Sequence, residues 1–399
     1  MACRICKTTN IENVIDLGEQ FITSRFPTYG DWSTPKTPIT LFQCLDCGLV
    51  QLRDLVESSE MYEHLYGYRS GINPSMQKHL LDYNNEIQSK IQLNQGDTVL
   101  DIGSNDATFL RYYPDTVTRV GCDPTGKQFA SYYDGLTLIP TYFTKDNVSQ
   151  LHAKCKVVSS ISMFYDLPDP VQFARDVYFV LTEDGIWTLE QSYILSMLER
   201  NSIDTICHEH VEYYGLRQIK KIMDIVGFVI TDIRKNDCNG GSFRIYVQKH
   251  GVETPLVNEW LAIEKDKRLH DPETYRTFER NCRKEVDKLK HYLSEHPNTY
   301  IYGASTKGNC LLQYANITEK DIPFAVERNL DKIGKMTSTG IPIISEDTMR
   351  ANPPSNLLVL PWHFRDGIIQ REKTFLENGG TFVFPFPKFE LVNNINGNI

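Results

Sequence analysis

The stretch Thr98–Tyr112, TVLDIGSNDATFLRY, constrains this chain more than any other. It opens with an apolar run, Val99, Leu100 and Ile102, which reads as a buried strand. It turns sharply at Gly103-Ser104-Asn105-Asp106. Phe109, Leu110 and Tyr113 then follow at helical spacing and predict a helix. Strand, glycine turn and helix form the first unit of a nucleotide-binding α/β fold. The turn is not the dinucleotide fingerprint, which needs three glycines, because only Gly103 is present. One glycine still lets a backbone approach a ligand closely. A second short strand, Thr118 to Cys122, ends in Asp123, 20 residues past Gly103. A carboxylate at that tip can accept hydrogen bonds from both ribose hydroxyls. One glycine turn plus a ribose acid is the pattern of S-adenosylmethionine (SAM) enzymes. The competing reading is an ordinary α/β turn with an exposed acid.

A chain of 399 residues holds two or three domains. Its formal net charge of −9 argues against a general nucleic-acid binder, which needs a basic face. No apolar run approaches the ~20 residues that span a membrane. The start, MACRICKTTN, lacks the apolar core of a signal peptide, so a cytoplasmic location is expected. In that compartment the 10 cysteines stay reduced, and clustered ones point to metal.

Two such clusters exist. Cys3-Arg-Ile-Cys6 and Cys44-Leu-Asp-Cys47 are C-x-x-C knuckles, and paired knuckles supply the four thiolates of a tetrahedral zinc site. The alternatives are redox pairs or unpaired core cysteines. With all four positions filled by protein, such a zinc is structural. Residues 52–95 read as helical with a polar surface. They include Tyr62 to Asn73, rich in tyrosine, where Tyr68, Arg69 and Ser70 either face a ligand or form an aromatic lid on the zinc lobe.

Further strands are expected at Val157–Ile161 and Gly185–Glu190, with a helix over Val171–Leu181 between them, which makes an open, mainly parallel sheet. Asp204 to Tyr214, DTICHEHVEYY, carries His208 and His210. They share one face if extended and diverge if helical. Their i, i+2 spacing is not that of a zinc-protease helix. A metal pair and plain hydrogen-bonded histidines stay open, and the preferred role is a general base. Asp237 to Tyr246 holds a Gly-Gly turn, where Asn239 and Ser242 either reach a polar ligand or serve the turn. A long helix with an apolar face from Tyr275 to Leu293 precedes a second α/β unit. That unit opens at Tyr300-Ile-Tyr-Gly303-Ala-Ser-Thr-Lys307-Gly308-Asn309. It is not a P-loop, because Lys307 precedes its glycine, yet a glycine turn with a lysine suits a phosphate. Strands are expected at Ala325–Glu327, Leu357–Leu360 and Thr381–Pro385.

Taken together, the paired cysteines, VLDIGSNDA, EQSY, DTICHEHVEYY, CNGGSFR, YGASTKGN and LPWHFRD resemble the three-domain sugar C-methyltransferases that act on nucleotide-linked 4-keto deoxysugars. The match runs nearly the whole chain. The resemblance implies an α/β fold with an N-terminal zinc-binding lobe (1–60), a central Rossmann-like SAM domain (61–250) and a C-terminal Rossmann-like domain (251–399) that binds the nucleotide-sugar. It implies carbon methylation through an enolate, with His210 as base, Glu209 orienting or polarising it, and His208 and Tyr68 in the catalytic group. Candidate SAM residues are Asp101, Gly103, Ser104, Asn105, Asp123, Pro124 and Ser162. Candidate substrate residues are Tyr68, Arg69, Asn239, Ser242, Lys307, Glu327 and His363, and candidate zinc ligands are Cys3, Cys6, Cys44 and Cys47. A nucleotide-diphosphate sugar is the expected partner, with no nucleic acid or membrane, and the chain is expected to be a monomer. Three positions depart from the family: Cys207 replaces a tyrosine, Ala107 a glycine that helix packing can dispense with, and Asn239 a histidine. Oxygen or nitrogen methylation and non-catalytic nucleotide-sugar binding are the alternative functions.

Overall fold

Three sheets organise the chain, whose computed structural model describes residues 1–30, 35–57, 61, 68–151 and 153–394. The first is antiparallel: β1 (Ile11–Phe21), β2 (Lys36–Cys44) and β3 (Val50–Leu52). The second contains β4 (Thr98–Ile102), β5 (Thr118–Cys122), β6 (Thr137–Ile139), β7 (Cys155–Ile161) and β8 (Leu181–Ser192). A two-residue strand, β9 (Glu212–Tyr213), leaves this domain and joins β3 of the first sheet. Then β10 (Val229–Asn236) and β11 (Ser242–Gln248) complete the second sheet, in the order β10-β11-β8-β7-β4-β5-β6. Strands β4 to β8 pair in parallel, while β10 and β11 run antiparallel. Every residue of β4 is buried, as expected of a strand covered on both faces. Helix α1 (Pro74–Lys90) covers one face with Leu80, Tyr83 and Ile87, and α2 (Pro170–Val180) packs Phe173, Ala174 and Val177 into the core. Among the described residues no helix is long and apolar enough to cross a membrane.

After α3 (Leu216–Val226), α4 (Leu256–Asp266) and the long α5 (Pro272–Glu295), the third sheet begins. Its strands are β12 (Thr299–Tyr302), β13 (Ala325–Glu327), β14 (Ile343–Ser345), β15 (Asn356–Val359), β16 (Thr381–Phe384) and β17 (Glu390–Val392). The order is β14-β13-β12-β15-β16-β17, parallel except for the last pair. Helix α6 (Thr306–Ala315) follows the Gly303 turn.

Two local expectations fail for identifiable reasons. No α-helix follows Gly103, only a 3-10 turn at Leu110–Tyr112. Asn105 (φ 49) and Ala107 (φ 60) are left-handed, and the Asp106 side chain accepts from Thr108 N and Oγ1 in a local turn. Ala107 is therefore not packed in a helix but held where an L-residue is strained by about 1–2 kcal/mol. Of the helix expected over 52–95, the described residues show Met61 and the stretch Pro74–Lys90, which Asn73 caps through Ser75 N (3.0 Å) and Pro74 opens. The segment's Tyr62 and Tyr66 lie outside the described residues.

The three sheets converge on residues 204–213. Leu52 N donates to Val211 O (2.9 Å) beside the β3–β9 pair. From the third domain, Trp362 Nε1 donates to the buried Asp204 carboxylate (2.9 Å), and Lys307 Nζ donates to Asn239 O (2.7 Å). Asn309 Nδ2 donates to Thr23 O of the first domain (2.8 Å). Trp362→Phe strands Asp204 without its donor and should lower stability by about 1–3 kcal/mol, read as a reduced urea midpoint.

Candidate active site

The four cysteines of the knuckles converge, as the ligand spacing requires. Their sulfurs all lie within 4.8 Å of one another, with Cys3–Cys47 and Cys6–Cys44 each at 3.5 Å. Zinc–sulfur bonds of about 2.3 Å at tetrahedral angles need edges of about 3.8 Å, so the tetrad fits zinc with small adjustment. All four are free thiols. Gly48 (φ 80) makes the second knuckle's turn. The lobe is fastened to the central domain around this centre. Gln218 Nε2 donates to Cys47 O (2.9 Å), and Arg4, inside the first knuckle, lies 3.6 Å from the buried Glu212 carboxylate on β9.

The carboxyl ends of β4, β5 and β7 form the cofactor end of the central sheet. Gly103 (φ 76) exposes bare backbone there, and a Cβ would press on Met163 at 3.0 Å. Asp101 lies below it, buried, accepting from Ser159 Oγ (2.6 Å), and burial raises its carboxyl to about 7. Asp123 accepts from Asn105 N (2.7 Å), Thr125 N (2.7 Å) and Thr125 Oγ1 (2.6 Å). A carboxylate has about four acceptor positions, so roughly one remains for a ribose hydroxyl. Pro124 starts the short turn that Asp123 caps. Ser104 points away from this end, with its hydroxyl bonded to Tyr133 (2.7 Å). Ser162 (φ 53) turns the chain after β7 and donates its N–H to Glu190 O (2.7 Å).

Asn105 and Asp106 clamp a neighbouring segment onto the turn. Asn105 Oδ1 accepts from Ser70 N (2.9 Å), its Nδ2 donates to Tyr68 O (3.1 Å), and Asp106 accepts from Gly71 N (3.0 Å) and pairs with Arg69 (3.4 Å). Arg69 also reaches Tyr132 OH (2.7 Å). The Tyr68 backbone and the Arg69 side chain are therefore fastened to the turn after β4. The Tyr68 phenol is raised to about 12, by the surrounding protein first and then by Cys238.

The His-Glu-His segment is neither a strand nor a helix. His208 Nε2 donates to Thr37 O of the zinc lobe (3.0 Å), while His210 Nδ1 donates to Thr205 O (2.7 Å). The two rings thus take different partners, and among the described residues they belong to no metal-like cluster. The bond to Thr205 fixes the proton of His210 on Nδ1 and leaves Nε2 as acceptor. Tyr165 packs edge-on to that ring at 4.4 Å, and its carbonyl accepts from Val211 N (2.9 Å). Glu209 accepts from Thr23 Oγ1 of the lobe (3.1 Å) and keeps its other oxygen without a protein partner. Burial and Lys307 work against an imidazolium at His210, Glu209 favours one, and Cys207 would favour one only as a thiolate. Cys207 itself stays a thiol, raised by burial and by Cys310 beside it.

Of the candidate substrate residues, Lys307, Asn239 and His363 meet in one place. Lys307 joins Asn239 across the domain junction, and it acts electrostatically on His210, Asp204 and His363. His363 is pushed down to about 3 by burial, Lys307 and Arg200, and its buried Nδ1 has no hydrogen-bond partner. Ser242 is turned inward, donating to Cys238 O (3.0 Å). Glu327 accepts from Arg328 N and Asn329 N at the end of β13, in the third sheet's own crevice. Sequence reasoning left three groups without a role: Asp204, Tyr165, and the trio His79, Glu190 and Cys238. The trio's ligand atoms lie within 4.8 Å of one another. Asp204 and Glu190 sit inside quoted motifs, but His79 has no local signal.

Three family models match the chain in succession. A candidate zinc-binding domain matches residues 3–62, a methyltransferase domain 76–233, and a C-methyltransferase C-terminal domain 237–387. C-methyltransferase NovU of Streptomyces niveus is 28% identical over an alignment that covers 98% of this chain and 96% of that protein. A methyltransferase in complex with the Haloferax volcanii activator Trm112 is 14% identical at a TM-score of 0.36, covering 45% of this chain and 95% of its own. A SAM-dependent methyltransferase from Clostridium acetobutylicum is 12% identical at 0.34, covering 44% and 92%. The ordered matches along the whole length place the chain in the three-domain C-methyltransferase family. It is a SAM-dependent methyltransferase with a four-cysteine zinc-binding domain.

Cys3→Ser should lower bound zinc and with it activity, because the lobe supplies Thr23 and Thr37 to the His-Glu-His segment. Atomic absorption together with SAM binding checks this. Loss of zinc with unchanged turnover would remove the lobe from the site.

Proposed function

We propose that the protein methylates a carbon next to the ketone of a nucleotide-linked deoxysugar, through an enolate, with His210 as the base. The observation that carries this reading is the Nδ1–Thr205 bond, which presents Nε2 of His210 as a proton acceptor at the junction of all three domains. A proton α to a ketone is acidic enough for a positioned imidazole to remove. Nε2 takes that proton, and the electron pair of the C–H bond passes into the enolate. Bound SAM would supply an electrophilic methyl group to the carbon, its S–CH3 bond breaking with the electron pair left on sulfur as S-adenosylhomocysteine. The free oxygen of Glu209 orients a sugar hydroxyl, and Lys307 lends positive charge near the developing enolate. Tyr165 holds the imidazole ring in place.

Bare backbone at Gly103, the remaining acceptor position of Asp123 and the clamped segment from Tyr68 hold the cofactor. The third sheet's crevice, with Glu327 at the tip of β13, takes the nucleotide, and Lys307, Asn239 and His363 face the sugar. The buried, unpartnered Nδ1 of His363 supports that placement. The NovU relationship supports carbon as the acceptor atom.

His210→Ala should lower kcat by about 10²–10⁴-fold, the usual contribution of a general base, while SAM affinity stays unchanged. Solvent deuterium should enter the α-carbon of a keto-sugar with the unaltered enzyme and not with the variant. Methyl transfer to oxygen or nitrogen, read by carbon NMR, would redirect the proposal.

A further inference from the structure

A string of alternating charges runs from α1 to the cofactor end of the central sheet. Lys90 pairs with Asp232 (2.6 Å), Asp232 with Arg234 (3.1 Å), and Arg234 with Glu86 (3.5 Å). Glu86 pairs with Arg244 (2.5 Å), Arg244 with Glu190 (2.8 Å), and Glu190 with His79 (2.5 Å). The string begins and ends on a cation, so four positive groups share three carboxylates. The end that lies at the cofactor side is His79, paired with Glu190 alone among the carboxylates, and its side chain keeps 20% exposure.

Glu190 has no capacity left. Its Oε1 is held by His79, and its Oε2 accepts from Asn236 Nδ2 (2.8 Å) and Arg244 Nε (2.8 Å). That saturation, next to a guanidinium, is wrong for a metal ligand and right for a group that orients an imidazole. Burial opposes a charged His79, but Cys238 and Glu190 more than reverse it, and its pKa rises to about 10. The ring therefore does not exchange protons as a base near neutral pH.

The position is informative. Glu190 lies opposite Ile161 in the β7–β8 pair, and its carbonyl holds Ser162 N (2.7 Å). Cys238 precedes Asn239, whose Nδ2 donates to Ser162 Oγ (3.4 Å). Tyr68 is clamped by its backbone to the same end of the sheet, through Asn105. His79 thus stands beside the Ser162 turn that follows β7, through Glu190 and Cys238. Ligands of such sheets bind outside the carboxyl ends of β4 and β7.

We propose that His79, oriented by Glu190 and flanked by Cys238, is the binding site of an anionic oxygen in the cofactor cleft. Two sources carry that chemistry: the methionine carboxylate of SAM and the enolate oxygen of the acceptor. The second source rests on the enolate reading above, and the first does not.

The test titrates S-adenosylhomocysteine and 5′-methylthioadenosine, which lacks the carboxylate, into the unaltered protein and into His79→Gln by calorimetry. A charge-assisted hydrogen bond is worth about 10- to 100-fold in affinity. If the carboxylate is the ligand, S-adenosylhomocysteine weakens by that factor and methylthioadenosine does not. If the enolate oxygen is the ligand, both bind as before, and deuterium exchange at the α-carbon of a keto-sugar slows by that factor. Equal weakening of both nucleosides, or no change in binding or exchange, overturns the proposal. Should His79→Gln fail to fold, alkylation of Cys238 in the unaltered enzyme is mapped by mass spectrometry. Protection by S-adenosylhomocysteine and not by methylthioadenosine, or by the keto-sugar alone, supports the site, and protection by none of the three overturns it.

Discussion

Two residues of strand carry the architecture. β9 is only Glu212–Tyr213, yet by pairing with β3 it ties the His-Glu-His segment to the zinc lobe. The segment from Asp204 to Val211 is held in its own domain by Tyr165 O, which accepts from Val211 N, and by the 3-10 turn Ile203–Thr205, and the pairing adds the lobe to these. With it, Thr37 O and Thr23 Oγ1 come within reach of His208 and Glu209. The four thiolates matter for the same reason. A lobe of three strands has little core, and metal ligation is what can give such a unit a fixed shape. Arg4 against the buried Glu212 carries that shape directly into β9.

The other side of the site is set by the third domain. Lys307 and Asn309 on α6, and Trp362 after β15, each end on an atom of another domain. Each of these bonds satisfies a group that would otherwise be buried without a partner, which makes the closed arrangement specific as well as compact. His210 is therefore held within the second domain by Thr205, its neighbours His208 and Glu209 are bonded to the first, and Lys307 of the third acts on it electrostatically.

Much of this was legible in the amino-acid order, and the remainder shows where such reading stops. The cysteine tetrad was legible because ligand spacing is a local property. The strands of the central sheet were legible because burial on both faces leaves continuous apolar runs. The turn after β4 was legible as a ligand turn, but not its continuation. Asn105 and Ala107 adopt left-handed backbone in a structure where Asn105 and Asp106 grip residues 68–71, and that grip is invisible in either stretch alone. Glu190 and Asp204 stood in recognisable motifs without a stated role. His79 could not be found at all, since a single histidine on an amphipathic helix has no pattern, and its partners come from β8 and the turn after β10.

The pairing of β3 with β9 also shapes how the chain can be made. β3 emerges from the ribosome long before Glu212, so the zinc lobe is complete in its ligands while one side of its sheet is still unpaired. An open strand edge of this kind is a template for pairing with the wrong neighbour. Fragments that end before β9, or chains stalled there, carry that exposed edge permanently. The early knuckles then act as a holding device, keeping the short lobe folded until the central domain delivers the strand that closes it.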